Sequence, residues 1–310
     1  MPEPLLTLFS TPKPFTDPHI AMIQKNAIQS WKQLGEEVEI VLVGEEMGVK
    51  EIARELNVRF IPEVRRNEQG TPLVSSIFEQ ARLVNSSPLL GFINSDIIIF
   101  PEILDSCKKA VEQVDKFVLA GQRWDLKVEH ALKFRNGWEK ELKVDIANRG
   151  RRHSPAGSDY FIFPRACFAN IPDFAIGRAG WDNWMIYKAR WEHWKMIDSS
   201  EEINIIHQDH DYRHLPKGIV HHRQPETLET VRLMGGRFAV YTLADSNYYW
   251  KNHQILPLPM NRERFRREFT IFPVVNLHSP FLGKISYFLF SFQKASTDLK
   301  KDKRIKVESR

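Results

Sequence analysis

Pro88-Leu89-Leu90-Gly91-Phe92-Ile93-Asn94-Ser95-Asp96-Ile97-Ile98-Ile99-Phe100 is an apolar run broken once, by the polar triplet Asn94-Ser95-Asp96. A run of this kind bounded by a turn signal is how a strand covered on both faces reads. Three similar runs precede it: Leu5-Leu6-Thr7-Leu8-Phe9, Val38-Glu39-Ile40-Val41-Leu42-Val43 and Val58-Arg59-Phe60-Ile61. Between the first two, Ile20, Ile23, Ala27, Trp31 and Leu34 recur at helical spacing. Asp17 is placed to cap that helix, Pro18 to open it and Gly35 to close it. A second helix is predicted over 47–56, and Thr71-Pro72 opens a third that runs to about Asn85. Strands alternating with helices predict an α/β fold: a Rossmann-type, mostly parallel sheet flanked by helices. Ligands of such sheets sit outside the carboxyl ends of the strands, which here means after Phe9, Gly44, Phe60 and Ile93.

The composition narrows the function. With 42% hydrophobic and 27% charged residues, the 310-residue chain has ordinary globular usage, which excludes a disordered polymer. Cys107 and Cys167 are too few for a disulfide scaffold or a multi-cysteine zinc site, and read as buried thiols in a reducing compartment. No basic segment leads into an apolar run at the N-terminus, and no window of about 18 apolar residues occurs, so a cytoplasmic protein, soluble or peripheral to the inner face of a membrane, is expected. The net charge is +5, yet residues 294–310 alone hold seven Lys/Arg against three Asp/Glu. The rest of the chain is close to neutral, so no nucleic-acid partner is expected. No Gly-x-Gly-x-x-Gly follows the first strand and no Gly-Lys-Ser/Thr occurs, which argues against dinucleotide and P-loop sites. After residue 120 the alternation fades into aromatic-rich, Gly/Arg-rich (148–157) and His-rich (207–222) segments, as if the first half bound a nucleotide and the second another substrate.

Three places hold candidate chemistry. Asp96, at the carboxyl end of a central strand, suits a hard divalent cation and the diphosphate it carries; capping the helix that Pro101 begins is the equal alternative. Asp182, in Gly180-Trp181-Asp182-Asn183-Trp184, stands at a helix start, either as a cap or as a general base for an acceptor hydroxyl. Trp181, Trp184, Trp191 and Trp194 read mainly as core, with sugar stacking as the alternative. His207 and His210 end an apolar strand and offer imidazoles for a metal or phosphate, whereas His214, His221 and His222 read as a polar loop.

The order of these segments resembles the GT-A-type nucleotide-sugar glycosyltransferases, of the bacterial family 2-like kind. The resemblance is carried by Thr11-Pro12-Lys13-Pro14-Phe15, Gly70-Thr71-Pro72-Leu73, Asn94-Ser95-Asp96-Ile97, Gly180-Trp181-Asp182-Asn183-Trp184 and His207-Gln208-Asp209-His210-Asp211-Tyr212, and spans roughly residues 5–245. It implies a GT-A-like catalytic domain over 1–250, with a nucleotide-sugar-binding half (1–120) and an acceptor-binding half (121–250), followed by a C-terminal extension (251–310) with a basic tail. It implies donor contacts from Phe9, Ser10, Thr11, Thr71, Asn94, Ser95 and Asp96, and acceptor contacts from Trp181, Asn183 and Trp184. Asp182 would be the catalytic base of an inverting transfer, and Asp96, His207 and His210 would hold Mn2+ or Mg2+. Asn94 stands where the family's Asp-x-Asp motif has its first carboxylate. The expected reaction moves a sugar from a nucleoside-diphosphate-sugar to a hydroxyl of a glycan or lipid-linked acceptor, in glycan or polysaccharide synthesis. A nucleotidyltransferase of related fold and a non-catalytic nucleotide-sugar or carbohydrate-binding protein are the alternatives. From Ile271 to Phe292 the chain is rich in Phe, Leu and Ile but too interrupted to span a bilayer, so either peripheral membrane contact or packing on the catalytic domain is expected.

Overall fold

A computed structural model describes residues 3–210 and 224–290. Asp211, Tyr212, His214, His221, His222, Phe292 and the basic tail lie outside the described residues.

The predicted alternation is present. It runs β1 (Leu6–Ser10), α1 (Pro18–Lys32), β2 (Val38–Val43), α2 (Val49–Leu56), β3 (Arg59–Ile61), α3 (Val74–Leu83) and β4 (Leu89–Ile93). Asp17 caps α1 by accepting from the backbone N–H groups of His19 and Ile20. Gly35 takes the left-handed turn beyond the end of the helix. β5 (Ile97–Ile99), α4 (Glu102–Gln113), β6 (Phe117–Ala120), β7 (Trp124–Leu126), α5 (Trp138–Arg149), β8 (Arg151–Arg152) and β9 (Tyr160–Pro164) follow. Then come α6 (Trp181–Trp191), β10 (Lys195–Asp198), β11 (Ile205–Gln208), α7 (Pro225–Leu233), β12 (Tyr248–Lys251), β13 (Gln254–Pro257), α8 (Arg262–Val275) and α9 (Pro280–Phe290).

Nine strands form the main sheet in the order β13-β12-β10-β6-β9-β4-β1-β2-β3. Its two flanks are parallel, β4-β1-β2-β3 on one side and β6-β10-β12 on the other. β9 runs antiparallel between them. A small second sheet, β5-β11-β7-β8, stands apart from it. The period of two in β1 sends Leu6 and Leu8 to one core with Trp31, and Phe9 to the other with Phe78, Phe92 and Phe163. α5 has no broad apolar face: only Trp138, Leu142 and Ile146 are buried, a four-residue spacing within a charged sequence. The expected boundary at residue 250 falls inside β12, which pairs with β13, so the sheet continues to Pro257. α8 then returns Ile271, Val274 and Val275 to the core beside Phe9. Gly283 of α9 lies so close to Val274 that any Cβ there would collide with it.

α1 carries a buried polar row on its sheet-facing side. Asn26 donates to Gln208 Oε1 (3.0 Å) and to the His130 carbonyl (3.1 Å), and accepts from the Leu132 N–H (2.8 Å). Gln24 accepts from the Lys13 N–H (2.7 Å) and the Ser95 hydroxyl (2.8 Å), and donates to the Lys13 carbonyl (3.0 Å). Ser30 accepts from the Ile99 N–H, and the Trp31 indole donates to the Ile97 carbonyl. These groups tie the loops after β1, β4 and β7, and the end of β11, to one helix. Replacing Asn26 by Leu strands three partners at once. Each buried group left unpaired costs about 1–3 kcal/mol. The Asn26→Leu variant should therefore lose about 2–4 kcal/mol in urea unfolding, well above an exposed control such as Gln33→Leu.

Candidate functional site

A cleft of about 470 Å³ opens where β1 and β4 end, between the Thr11–Pro14 turn, the Asn94–Asp96 loop and the Gly177-Arg178 turn before α6. The carboxyl ends of the central strands thus carry it, as the sheet topology predicts. Ser10 ends β1 and Thr11 follows it; both hydroxyls are buried without a hydrogen-bond partner, and Thr11 lines the cleft while Ser10 does not. Such groups mark a place where something polar binds. Phe9, by contrast, is wholly buried against Phe78 and Phe92, and its side chain does not line the cleft.

The small sheet builds the inner wall by its register. His207 of β11 pairs across to Ile97 on one side and to Asp125 on the other, and Asp125 pairs with Arg151. Asp96, one residue before β5, is thereby brought beside His207 and His210. Its Oδ2 lies 3.1 Å from His210 Nε2 and 3.8 Å from His207 Nε2, and Lys13 Nζ lies 3.5 Å from the same His210 nitrogen. Asp96 does not cap α4; β5 separates them. Burial alone would raise its pKa, but the His210 hydrogen bond and the charges of His207, Lys13 and His210 hold it well below the usual carboxylate range. It is a carboxylate at neutral pH.

Asp96, His207 and His210 each offer one ligand atom, and the three lie within 4.8 Å of one another. Asp96 Oδ1 is buried with no hydrogen-bond partner, a second oxygen left for a cation or for water. One carboxylate and two imidazoles suit Mn2+ or Zn2+ better than Mg2+, which prefers oxygen ligands. The far nitrogen of His207, Nδ1, faces two carboxylates, Asp125 Oδ1 at 3.4 Å and Asp209 Oδ1 at 3.6 Å. Neither contact is a hydrogen bond, and Nε2 is the nitrogen nearer Asp96.

Asn94 does something different from Asp96. Its amide nitrogen donates to Asp159 Oδ1 (2.9 Å), and Asp159 is paired with Arg123 at 2.8 Å. An Asp at 94 would set two carboxylates against each other there. Arg123 also donates to Asp125 at 2.9 Å, so one nearly buried guanidinium bridges both acids, and Arg151 pairs with Asp125 at 3.2 Å. The Ser95 hydroxyl is held by Gln24, which makes Ser95 a strut of the loop. Thr71 lines the cleft but lies ahead of α3, with its N–H bonded to Asn67 and its hydroxyl beside Glu226. Glu226 in turn pairs with Arg178, whose chain lines the opposite rim.

Asp182 occupies the first turn of α6, after Gly180, whose left-handed φ of 114° starts the helix. Gly180 is the cap residue, so Asp182 is not needed in that role. It is half-buried, and its carboxylate takes the Gly180 N–H at 3.3 Å. Burial, followed by the charge of Asp159, pushes its pKa up to about 6. Asp182 is not itself among the residues lining the cleft, but it is close enough to Asp159 on the cleft wall to feel that charge. Trp181 and Trp184 are core: Trp181 packs edge-on to Phe92 and Phe78, and Trp184 to Phe174. Asn183 donates to the Tyr241 carbonyl (2.7 Å) and ties α6 to the chain beyond α7. The sequence did not single out Lys13 by role, nor Arg123, Asp125 or Asp159. Lys13 lay within the Thr11–Phe15 motif, but the other three are made adjacent only by tertiary pairing.

No family model matches this sequence, and no curated protein matches it. Solved structures similar to the chain include S. aureus TarS 1-349 in complex with UDP-GlcNAc, at 12% identity and a TM-score of 0.49, over 74% of this chain and 65% of that one. The mannosyltransferase PcManGT from Pyrobaculum calidifontis, with GDP-Man and Mn2+, aligns at 12% identity and a TM-score of 0.43, over 77% of this chain and 64% of that one. Glucosyl-3-phosphoglycerate synthase from Mycobacterium tuberculosis, with Mn2+, UDP and phosphoglyceric acid, aligns at 13% identity and a TM-score of 0.45, over 75% and 79%. The chain thus spans slightly less than two thirds of the first two. At such identities and scores these likenesses carry no argument about activity, which must come from the residues above.

Removing the Asp96 carboxylate should abolish Mn2+ binding. In an EPR titration of free Mn2+, Asp96→Ala should leave the ion unbound where the wild type depletes it. The depressed pKa makes this carboxylate stabilising at neutral pH, so the variant's melting temperature should fall while its circular dichroism at the titration temperature matches wild type.

Proposed function

We propose that the protein is a nucleotide-sugar glycosyltransferase: it moves a sugar from a nucleoside-diphosphate-sugar to a hydroxyl of a glycan or lipid-linked acceptor, by an inverting, cation-assisted displacement. The C-terminal segment would bring it to a membrane surface where such an acceptor is presented. One observation carries the assignment: a depressed-pKa carboxylate with two histidines and a lysine at the strand ends, and a carboxyl poised near pH 6 at the start of α6 beside the same cleft. Two acids with pKa values driven apart in one site are the signature of divided roles.

In the reaction the bond between the sugar's anomeric carbon and the diphosphate oxygen breaks as the acceptor oxygen attacks from the opposite face. The acceptor proton passes to Asp182, and the nucleoside diphosphate departs with the negative charge. Mn2+, held by Asp96, His207 and His210, would neutralise charge on that leaving group. Lys13, beside the same cluster, adds a fixed positive charge that need not reorganise as the charge develops. Asp125 and Asp209 lie beside the far nitrogen of His207, and Arg123 pairs with both Asp125 and Asp159. Thr11 supplies an unpaired hydroxyl for the ribose or base. Asp182 serves as base because its pKa near 6 leaves it ionised at neutral pH yet more basic than a free carboxylate.

Incubation with sugar nucleotides and Mn2+ tests the assignment: a transferase should slowly release free nucleoside diphosphate, and a mere binder should not. Asp182 gives a sharper prediction. The Asp182→Asn variant should lose about 10²–10⁴-fold in turnover. Wild-type kcat/KM should rise with pH and level off above about 6. Stability gives an independent check with a definite sign. The folded carboxyl holds its proton above the unfolded value of about 3.9, so ionising it costs stability as pH rises from there to about 6. Asp182→Asn escapes that cost and should be more stable than wild type above pH 6, and equal to it near pH 3. Near-normal turnover of this variant, or retained anomeric configuration in the product, removes Asp182 from the role.

A further inference from the structure

The structure assigns the outer face of the α8–α9 hairpin as a docking surface for an anionic lipid bilayer, which deepens the membrane contact in the reading above and rests on it only for its purpose. On α8, Phe265, Phe269 and Phe272 follow one another at helical spacing and are 64%, 58% and 48% exposed. On α9, Phe281, Ile285 and Leu289 repeat every four residues and are 71%, 42% and 62% exposed. Phe269 meets Phe290 edge-on with ring centroids 5.4 Å apart, so the two rows merge into one patch. A continuous apolar surface shared by two helices marks an interaction site, where scattered exposed residues would not.

The opposite faces of the same helices explain why the patch is held outward. Ile271, Val274 and Val275 are buried in the main core, Gly283 lets α9 lie directly on Val274, and the Ser286 hydroxyl donates to the Thr270 carbonyl at 2.6 Å. Arg190 and Arg264 bond to Glu268, and Arg267 bonds to Asp245, which pins α8 from its polar side. The hairpin is thus amphipathic as a unit, and its rotation about its own axis is fixed.

Charge identifies the occupant. Arg262, Arg266 and Lys284 are exposed on these two helices, against a single fully exposed acid, Glu263. The sequence that follows α9 carries seven Lys/Arg and three Asp/Glu between Lys294 and Arg310. Phe and Leu on one face with cations around them is the make-up of a helix that lies in the plane of a membrane interface. A second copy of the chain would bring the same cations together. No helix among the described residues is long and apolar enough to cross a membrane, so the contact is a surface one.

Deleting the hairpin is the wrong test, because half of it is core. Point variants of the full chain are the right one. Sedimentation with vesicles of phosphatidylcholine plus phosphatidylglycerol, without sugar nucleotide, should pellet the wild type at low salt and release it at high salt. Pure phosphatidylcholine vesicles should bind it far less. The variant Phe281→Ser/Leu289→Ser should bind the anionic vesicles at least about tenfold more weakly. Replacing Lys300, Lys301, Lys303 and Arg304 by Gln should weaken the binding and remove most of its salt dependence. Phe281 and Leu289 are exposed, so circular dichroism and melting of that variant should match wild type. Equal vesicle binding by wild type and the Phe281/Leu289 variant overturns the proposal. So does a wild type that ignores vesicles and instead dimerises through this patch, seen as a concentration-dependent mass that the same variant abolishes. Because no donor is present, failure of glycosyl transfer leaves this result unaffected, and failure here leaves the transfer chemistry standing.

Discussion

The cleft depends on the buried polar row of α1. Gln24 and Asn26 hold the Lys13 turn, the Ser95 loop, Gln208 at the end of β11 and the backbone of the loop after β7. These segments come from distant parts of the sequence and from two different sheets. A helix that offered only apolar residues would pack on the sheet but would leave loop backbone and side chains free to choose their own positions. Buried hydrogen bonds accept few geometries, so the row sets where Lys13, Asp96 and His210 can stand. The Gln208 amide also donates to the Asp96 carbonyl (3.1 Å), which ties the carboxylate's own backbone to the strand that carries His207. The position of the cluster therefore has one source.

A second constraint is electrostatic. Arg123 lies between Asp125 and Asp159 and is only 12% exposed at its side chain. Three ionised groups removed from water are costly unless each is paired, and removing the central cation would leave two uncompensated acids. Burial opposes the charged guanidinium, but the two aspartates raise its pKa above the ordinary arginine value. Asn94 extends this network by donating to Asp159. Next to it Asp96 is the carboxylate that lies close to both His207 and His210.

Much of the first hundred residues was legible in the sequence because burial on both faces leaves continuous apolar runs. β1, β2, β4 and α1 fall where those runs and the Asp17-Pro18 start predict them. β5 was hidden inside the run Ile97–Phe100, because an apolar stretch does not say where a strand ends and another, in a different sheet, begins. α5 was missed because three buried residues among charges give a weak period. In the site, Asp96, Asp182, His207 and His210 were visible as polar breaks in apolar or aromatic context. Arg123, Asp125 and Asp159 were not, since nothing local sets them apart and only the register of β7 against β11 makes Asp125 a neighbour of His207. Trp181 and Trp184 show the converse: an aromatic cluster beside a candidate aspartate is core packing, and spacing alone does not distinguish the two.

The antiparallel strand β9 in the middle of the main sheet has a consequence for how the chain folds. β4 and β6 are its two neighbours, and both precede it in sequence, by some seventy and forty residues. As the chain leaves the ribosome, β1 to β4 can assemble early, but the inner edge of β4 stays open until Tyr160–Pro164 arrives. β6 waits in the same way. An unpaired, wholly apolar edge such as Leu89–Ile93 is a template for strands of other chains. The slow, non-local closure of the sheet by β9 therefore sets the interval in which the nascent protein is most exposed to misassembly.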